Sequence, residues 1–110
     1  TTVERVRGAL LEALPAGELS MQAVSARLGL SSRTLQRRLQ VEGSSFQQTL
    51  DAVRSSLAQH YLQHSSMSGA EISFLLGFED PNSFVRAFQG WTGRTPQAAR
   101  SARAGGGIGT

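Results

Sequence analysis

The hydrophobic positions fall at intervals of three and four along the whole chain, the spacing that lines one face of an α-helix. Val3, Val6, Leu10, Leu11 and Leu14 predict an amphipathic helix over 3–14, ended by Pro15-Ala16-Gly17. Ser20 is placed to cap a helix from about Met21 to Leu28. Ser31 or Ser32 caps another from about Arg33 to Val41, before Gly43. From Ser45 to about His64, Phe46, Leu50, Val53, Leu57, Tyr61 and Leu62 keep helical spacing and predict one long helix. Ser68 precedes a helix from about Ala70 to Leu76. Asp80-Pro81 supplies an N-cap and a first-turn proline for a helix to about Trp91, stopped at Gly93. A short last helix begins near Thr95-Pro96 and is expected to end by Ala102. No stretch alternates as a half-buried strand does. The pattern predicts an all-α fold of about seven helices.

Two parts of this pattern repeat. Val24-Ser25-x-x-Leu28-Gly29-Leu30 recurs 48 residues later as Ile72-Ser73-x-x-Leu76-Gly77-Phe78. Leu35-x-Arg37-x-Leu39 recurs 49 residues later as Phe84-x-Arg86-x-Phe88, so one residue has been added in the second copy. Two short amphipathic helices broken by a glycine free to take a left-handed conformation make a helix-turn-helix. The expected organisation is a helix-turn-helix subdomain over 1–44, a linker helix over 45–64, a second subdomain over 65–102 and a disordered glycine-rich tail over 103–110.

Composition narrows the function. With 110 residues the core is modest, and without cysteine there is neither a disulfide framework nor a thiolate metal site. His60 and His64 share a helix face but lack further ligands nearby, so they read as a surface or partly packed pair and no cofactor is expected. There is no apolar run fit to cross a membrane and no signal-peptide layout at Thr1-Thr2-Val3-Glu4-Arg5, which predicts a cytoplasmic protein. The chain begins without methionine, as a piece of a longer protein would. No nucleophile–base set or phosphate-cradling loop stands out, so an enzyme is not expected.

The formal net charge of +3 is small, but its layout is uneven. Arg27, Arg33, Arg37 and Arg38 meet no acid between 19 and 41, and Arg86, Arg94, Arg100 and Arg103 meet none after 80. Between these blocks, Arg54 stands against five acids. All eleven basic residues are arginine, the side chain suited to bidentate contact with guanine or phosphate, although a coding bias explains the missing lysines as well.

In a helix-turn-helix the second helix enters the major groove of DNA and presents side chains to base edges. With Leu35 and Leu39 inward, Arg33, Thr34, Gln36, Arg37 and Gln40 lie on the sides and outer face of the first such helix. With Phe84 and Phe88 inward, Asn82, Ser83, Arg86 and Gln89 are accessible on the second. Arginine pairs with guanine and glutamine with adenine, each good pair being worth roughly 1–3 kcal/mol of discrimination. The apolar stripe Leu35, Leu39, Leu57, Leu62, Phe84, Phe88 and Trp91 reads as core. Arg38 reads either as a core-edge side chain or as a phosphate contact, and Arg5, Arg7, Arg100 and Arg103 read as diffuse attraction for DNA. A linker helix of about 19 residues would be about 28 Å long. That suits two reading helices about one DNA turn apart, near 34 Å, in successive major grooves.

The stretch from Gly77-Phe78-Glu79-Asp80-Pro81-Asn82-Ser83-Phe84 through Gly93-Arg94-Thr95-Pro96 resembles the signature of the AraC/XylS family of transcription regulators. Ser31 to Leu39 and Arg54-x-x-x-Ala58-x-x-x-Leu62 are similar as well, and the resemblance spans about Val3 to Arg100. It implies DNA contacts from Arg33, Gln36 and Arg37, from Asn82, Ser83 and Arg86, and phosphate contacts near Arg94 and Thr95. It also implies promoter DNA as the partner and a separate effector and dimerisation domain, so that this domain alone is expected to be a monomer. Contact with RNA polymerase is a further expectation, and a helical protein-interaction module is the alternative to DNA reading. The chain departs from the family pattern at Arg38, at Leu39 in place of a usual phenylalanine, and at Ala99 in place of a frequent tyrosine.

Overall fold

The computed structural model describes the backbone of residues 1–108 and the side chains of residues 1–102. Among the described residues seven α-helices follow one another: α1 (Thr2–Ala13), α2 (Met21–Arg27), α3 (Ser32–Val41), α4 (Phe46–His64), α5 (Gly69–Leu75), α6 (Pro81–Thr92) and α7 (Pro96–Ile108). A 3-10 turn, Leu14–Ala16, follows α1. Among the described residues there is no strand, and no helix is long and apolar enough to cross a membrane. The bounds of α1 to α6 lie within a residue or two of those read from the sequence. The exception is α7, which passes the expected end at Ala102. Its alanine-rich start favours helix and no proline follows to stop it. Gly109 and Thr110, at the end of the expected disordered tail, lie outside the described residues.

The chain packs as two units, Thr1–Val53 and Arg54–Thr110, divided inside α4. In the first, α1, α2 and α3 pack pairwise. Val6, Leu10, Ala13, Val24, Leu35 and Leu39 are fully buried there. The start of α1 is closed from a distant part of the chain, because the Glu42 carboxylate accepts from the backbone N–H groups of Thr2 at 2.8 Å and Val3 at 3.0 Å. These are orphan donors at a helix N-terminus, where a negative charge is favoured. Both amides hold the Glu42 carboxyl below its ordinary range, the Val3 N–H most strongly.

In the second unit, Ala58 and Leu62 on α4, Ile72 and Leu76 on α5, and Phe84 and Phe88 on α6 form one buried cluster. Leu57, Trp91 and Ala99 pack against it, half-buried. Phe84 and Phe88 meet edge to face at 5.9 Å, and Phe88 meets Trp91 in the same way at 6.4 Å. The small Ala99 therefore still covers this core.

The repeat is reproduced in the turns. In the first unit Leu30 N–H donates to Ser25 O at 3.0 Å and Gly29 N–H to Ala26 O at 3.1 Å. In the second, Phe78 N–H donates to Ser73 O at 3.0 Å and Gly77 N–H to Phe74 O at 3.1 Å. This pair of bonds closes a helix end only when the residue between them is left-handed, and Gly29 and Gly77 have φ of 69° and 83°. The two serines carry a second tie. Ser25 is buried, its hydroxyl donating to Met21 O and lying 3.3 Å from Ser32 Oγ at the start of α3. Ser73 is buried and donates to Asp80 O at 3.0 Å, at the start of α6. Each turn is thus joined to the helix that follows it by a hydroxyl shielded from water.

Candidate nucleic-acid interface

The helices after the two turns start on side-chain caps. Ser31 Oγ accepts from Thr34 N–H at 3.1 Å and opens α3, and Asp80 Oδ1 accepts from Ser83 N–H at 2.8 Å and opens α6. The Ser83 amide, and more weakly the nearby Arg86 guanidinium, hold the Asp80 carboxyl below its usual value. Thr34 and Ser83 therefore sit at equivalent half-buried cap positions, with Thr34 Oγ1 also accepting from Ser31 Oγ at 2.9 Å.

Beyond the caps, the burial of Leu35 and Leu39 turns Arg33, Gln36, Arg37 and Gln40 into one exposed stripe on α3. None of these four makes a side-chain hydrogen bond or ion pair among the described residues, so their donors and acceptors face water. On α6 the burial of Phe84 and Phe88 exposes Asn82, Arg86 and Gln89. Arg86 makes only a long contact, Nη2 to Ser83 Oγ at 3.4 Å. An offset of 49 pairs Arg33 with Asn82, Gln36 with Val85, Arg37 with Arg86 and Gln40 with Gln89. Val85 is apolar and gives no local sign of a groove contact, and the pairing with Gln36 marks it.

Beside each stripe lies a cleft. In the first unit it measures about 260 Å³ and is lined by Met21, Gln36, Gln40, Ser45, Phe46 and Gln47. In the second it measures about 320 Å³, and its lining includes Pro81, Phe84, Val85, Thr95, Pro96 and Gln97. The helices that begin at these clefts are capped alike, Ser45 Oγ accepting from Gln48 N–H and Thr95 Oγ1 from Ala98 N–H. Thr95 is half-buried, and Arg94 is exposed just before it.

Several arginines serve the fold. Arg27 pairs with Glu18 at 3.5 Å and with Glu12 at 3.8 Å, so the first arginine block is not unopposed in space. Arg5, read from the sequence as diffuse attraction, donates to Leu28 O at 3.2 Å. Arg100, read the same way, donates to Leu62 O, Tyr61 O and Ser65 O at 3.2–3.4 Å. The physical reason is common to both: the last carbonyls of a helix have no partner within it, and a guanidinium satisfies them. Arg7 and Arg38 are exposed, and the side chain of Arg103 lies outside the described residues. His60 and His64 stand side by side with ring centroids 5.0 Å apart, and no group of three or more potential metal ligands occurs among the described residues.

Comparison with known proteins places these features. Residues 24–102 match the family model of a helix-turn-helix domain. The ornithine utilization regulator of Pseudomonas aeruginosa is 42% identical over 98 residues, covering 89% of this chain and 29% of that protein. The chain therefore spans less than a third of that relative's length. Among solved structures, the C-terminal domain of AraT, a response regulator from Geobacillus stearothermophilus, is similar with a TM-score of 0.82 and 26% identity, covering 94% of this chain and 86% of that one. The DNA-binding domain of AdpA, a global transcriptional factor seen in complex with a target DNA, is similar with a TM-score of 0.73 and 29% identity, covering 88% of this chain and 90% of that one. With its duplicated turns and the outward stripes that follow them, the chain belongs to the AraC-type helix-turn-helix family, the all-α DNA-binding domains of transcription regulators.

Proposed function

We propose that this chain reads double-stranded promoter DNA through two helices, α3 and α6, laid in successive major grooves, and so regulates transcription in the cytoplasm. One observation carries the reading: the stripe Arg33, Gln36, Arg37 and Gln40 has no intramolecular partner among the described residues, and its counterpart on α6 offers Asn82, Arg86 and Gln89. Guanidinium and amide groups in this arrangement match the edges of guanine and adenine. Thr34 and Ser83 add contacts from the caps, and Arg94 and Thr95 meet a backbone phosphate at the start of α7, where helix N–H groups favour an anion. The 19-residue α4, about 28 Å long, suits half-sites one turn apart. The resemblance to the AdpA domain, seen with a target DNA, supports the partner. Effector binding and dimerisation are assigned to other parts of a longer protein, and this domain alone acts as a monomer without a cofactor. Its relatives are regulators, and no catalytic role is proposed.

The test is selection of bound duplexes from a random pool, then a salt titration of the winner. The expected result is a pair of enriched motifs about ten base pairs apart, bound with an affinity that falls steeply as salt rises. An unenriched pool sinks base reading, and a single motif sinks the two-groove arrangement. A second reading, a helical module docking on another protein such as RNA polymerase, is favoured by Phe74, which is 85% exposed on α5. Such an apolar interface responds weakly to salt.

A further inference from the structure

We propose that Val85 is a specificity determinant of the second unit, packing on the C5-methyl group of a thymine where the first unit presents Gln36 to its base. This rests on the reading of α6 as a groove helix. The two outward stripes match position for position, and three of the four pairs are polar on both sides. The exception is Gln36 against Val85, so the units differ in chemistry at one equivalent place.

The surroundings are alike on one flank, where Ser45, Phe46 and Gln47 of the first cleft answer to Thr95, Pro96 and Gln97 of the second, and differ on the other: Gln36 has Gln40 and Met21 beside it, whereas Val85 has Pro81 and Phe84. Val85 is half-buried at this rim and stands outside the buried cluster of its unit. Its isopropyl group is therefore partly covered at the rim of the cleft and partly open. A surface of that kind has nothing to offer a base nitrogen or oxygen. It does remove a methyl group from water, and in the major groove only thymine presents one. Glutamine at the same place pairs through both amide atoms with adenine. The two half-sites are therefore unequal, an adenine under Gln36 answering to a thymine under Val85.

The probe is the duplex that this chain selects from a random pool, with each thymine in turn replaced by deoxyuridine, which removes only the methyl group. One replacement is expected to weaken wild-type binding about fourfold, the weight of one methyl group returned to water. Val85→Ala is expected to bind the thymine duplex about fourfold more weakly and to be indifferent to that replacement. Val85→Gln is expected to prefer adenine at the same position. Thermal melting checks that each variant is folded, and Val85→Thr, of nearly the same shape, reports the same difference if Val85→Ala is not. The proposal is overturned if no replacement affects the wild type, or if the penalty is as large in the variants. If transversions anywhere in the duplex leave affinity unchanged, base reading fails altogether and the thymine contact falls with it.

Discussion

Arg54 Nε donates to the carbonyl of Leu76 at 3.0 Å, and its guanidinium lies 4.3 Å from the centre of the Phe78 ring. Arg5 does the equivalent for Leu28 in the first unit, 49 residues earlier. The structural repeat is therefore a three-helix unit, in which the helix before each helix-turn-helix lends an arginine to the end of that motif's first helix. Arg54→Ala is expected to lower stability by about 1–2 kcal/mol, the range for a hydrogen bond from a charged group that is only half-buried. Urea unfolding measures this, while the salt dependence of DNA binding by the folded protein stays as it was. A shallower salt dependence would make Arg54 a phosphate contact instead.

The buried hydroxyl of Ser73 is the counterpart on the other side of the turn. Ser73→Ala removes the shorter of the two hydrogen bonds to the Asp80 carbonyl, leaving the Phe84 N–H at 3.5 Å, and is expected to cost about 1 kcal/mol. Chemical denaturation reads the change, and a stability equal to that of the parent shows that water reaches the carbonyl.

Arg37 and Arg86 stand at the same place on the two outward stripes and should behave alike. Each Arg→Ala variant is expected to weaken binding to the selected duplex by about 1–3 kcal/mol and to weaken binding to random DNA far less. Fluorescence anisotropy on both duplexes decides it. Equal losses on the two would reduce these residues to phosphate contacts.

Acid should loosen the molecule in a defined direction. The carboxyl of Glu42 is held below its ordinary range by the N–H groups of Val3 and Thr2, and Glu71 and Asp80 are depressed by the amides that they cap. Below the ordinary carboxylate range the unfolded chain takes up protons first. The stabilisation present at neutral pH is then lost as pH falls through the lowered folded values. The urea midpoint is expected to drop across that window, and Glu42→Gln should flatten part of the slope. An unchanged slope in the variant would show that Glu42 titrates alike in both states.

Much of this architecture is legible in the sequence. Helical spacing, serine and aspartate caps and the glycines after each turn are local signals, and α1 to α6 fall within a residue or two of their expected ends. The candidate stripes were readable for the same reason, since placing Leu35 and Phe84 inward determines what faces outward. What escaped was held by long-range contacts. Glu42 capping a helix some forty residues before it, and Arg100 reaching the end of α4, leave no mark in local sequence. Arginine looks the same in sequence whether it meets a phosphate or a carbonyl. Val85 escaped for a different reason, because an apolar residue between core positions reads as filler until its polar counterpart is set beside it.

The hydroxyls of Ser25 and Ser73, together with the left-handed glycines, fasten each turn entirely from within. Nothing in that fastening calls on Arg33, Gln36, Gln40, Asn82 or Gln89. A lineage carrying this scaffold is free to exchange those side chains one unit at a time, acquiring new target sites by mutation without first surrendering a folded protein.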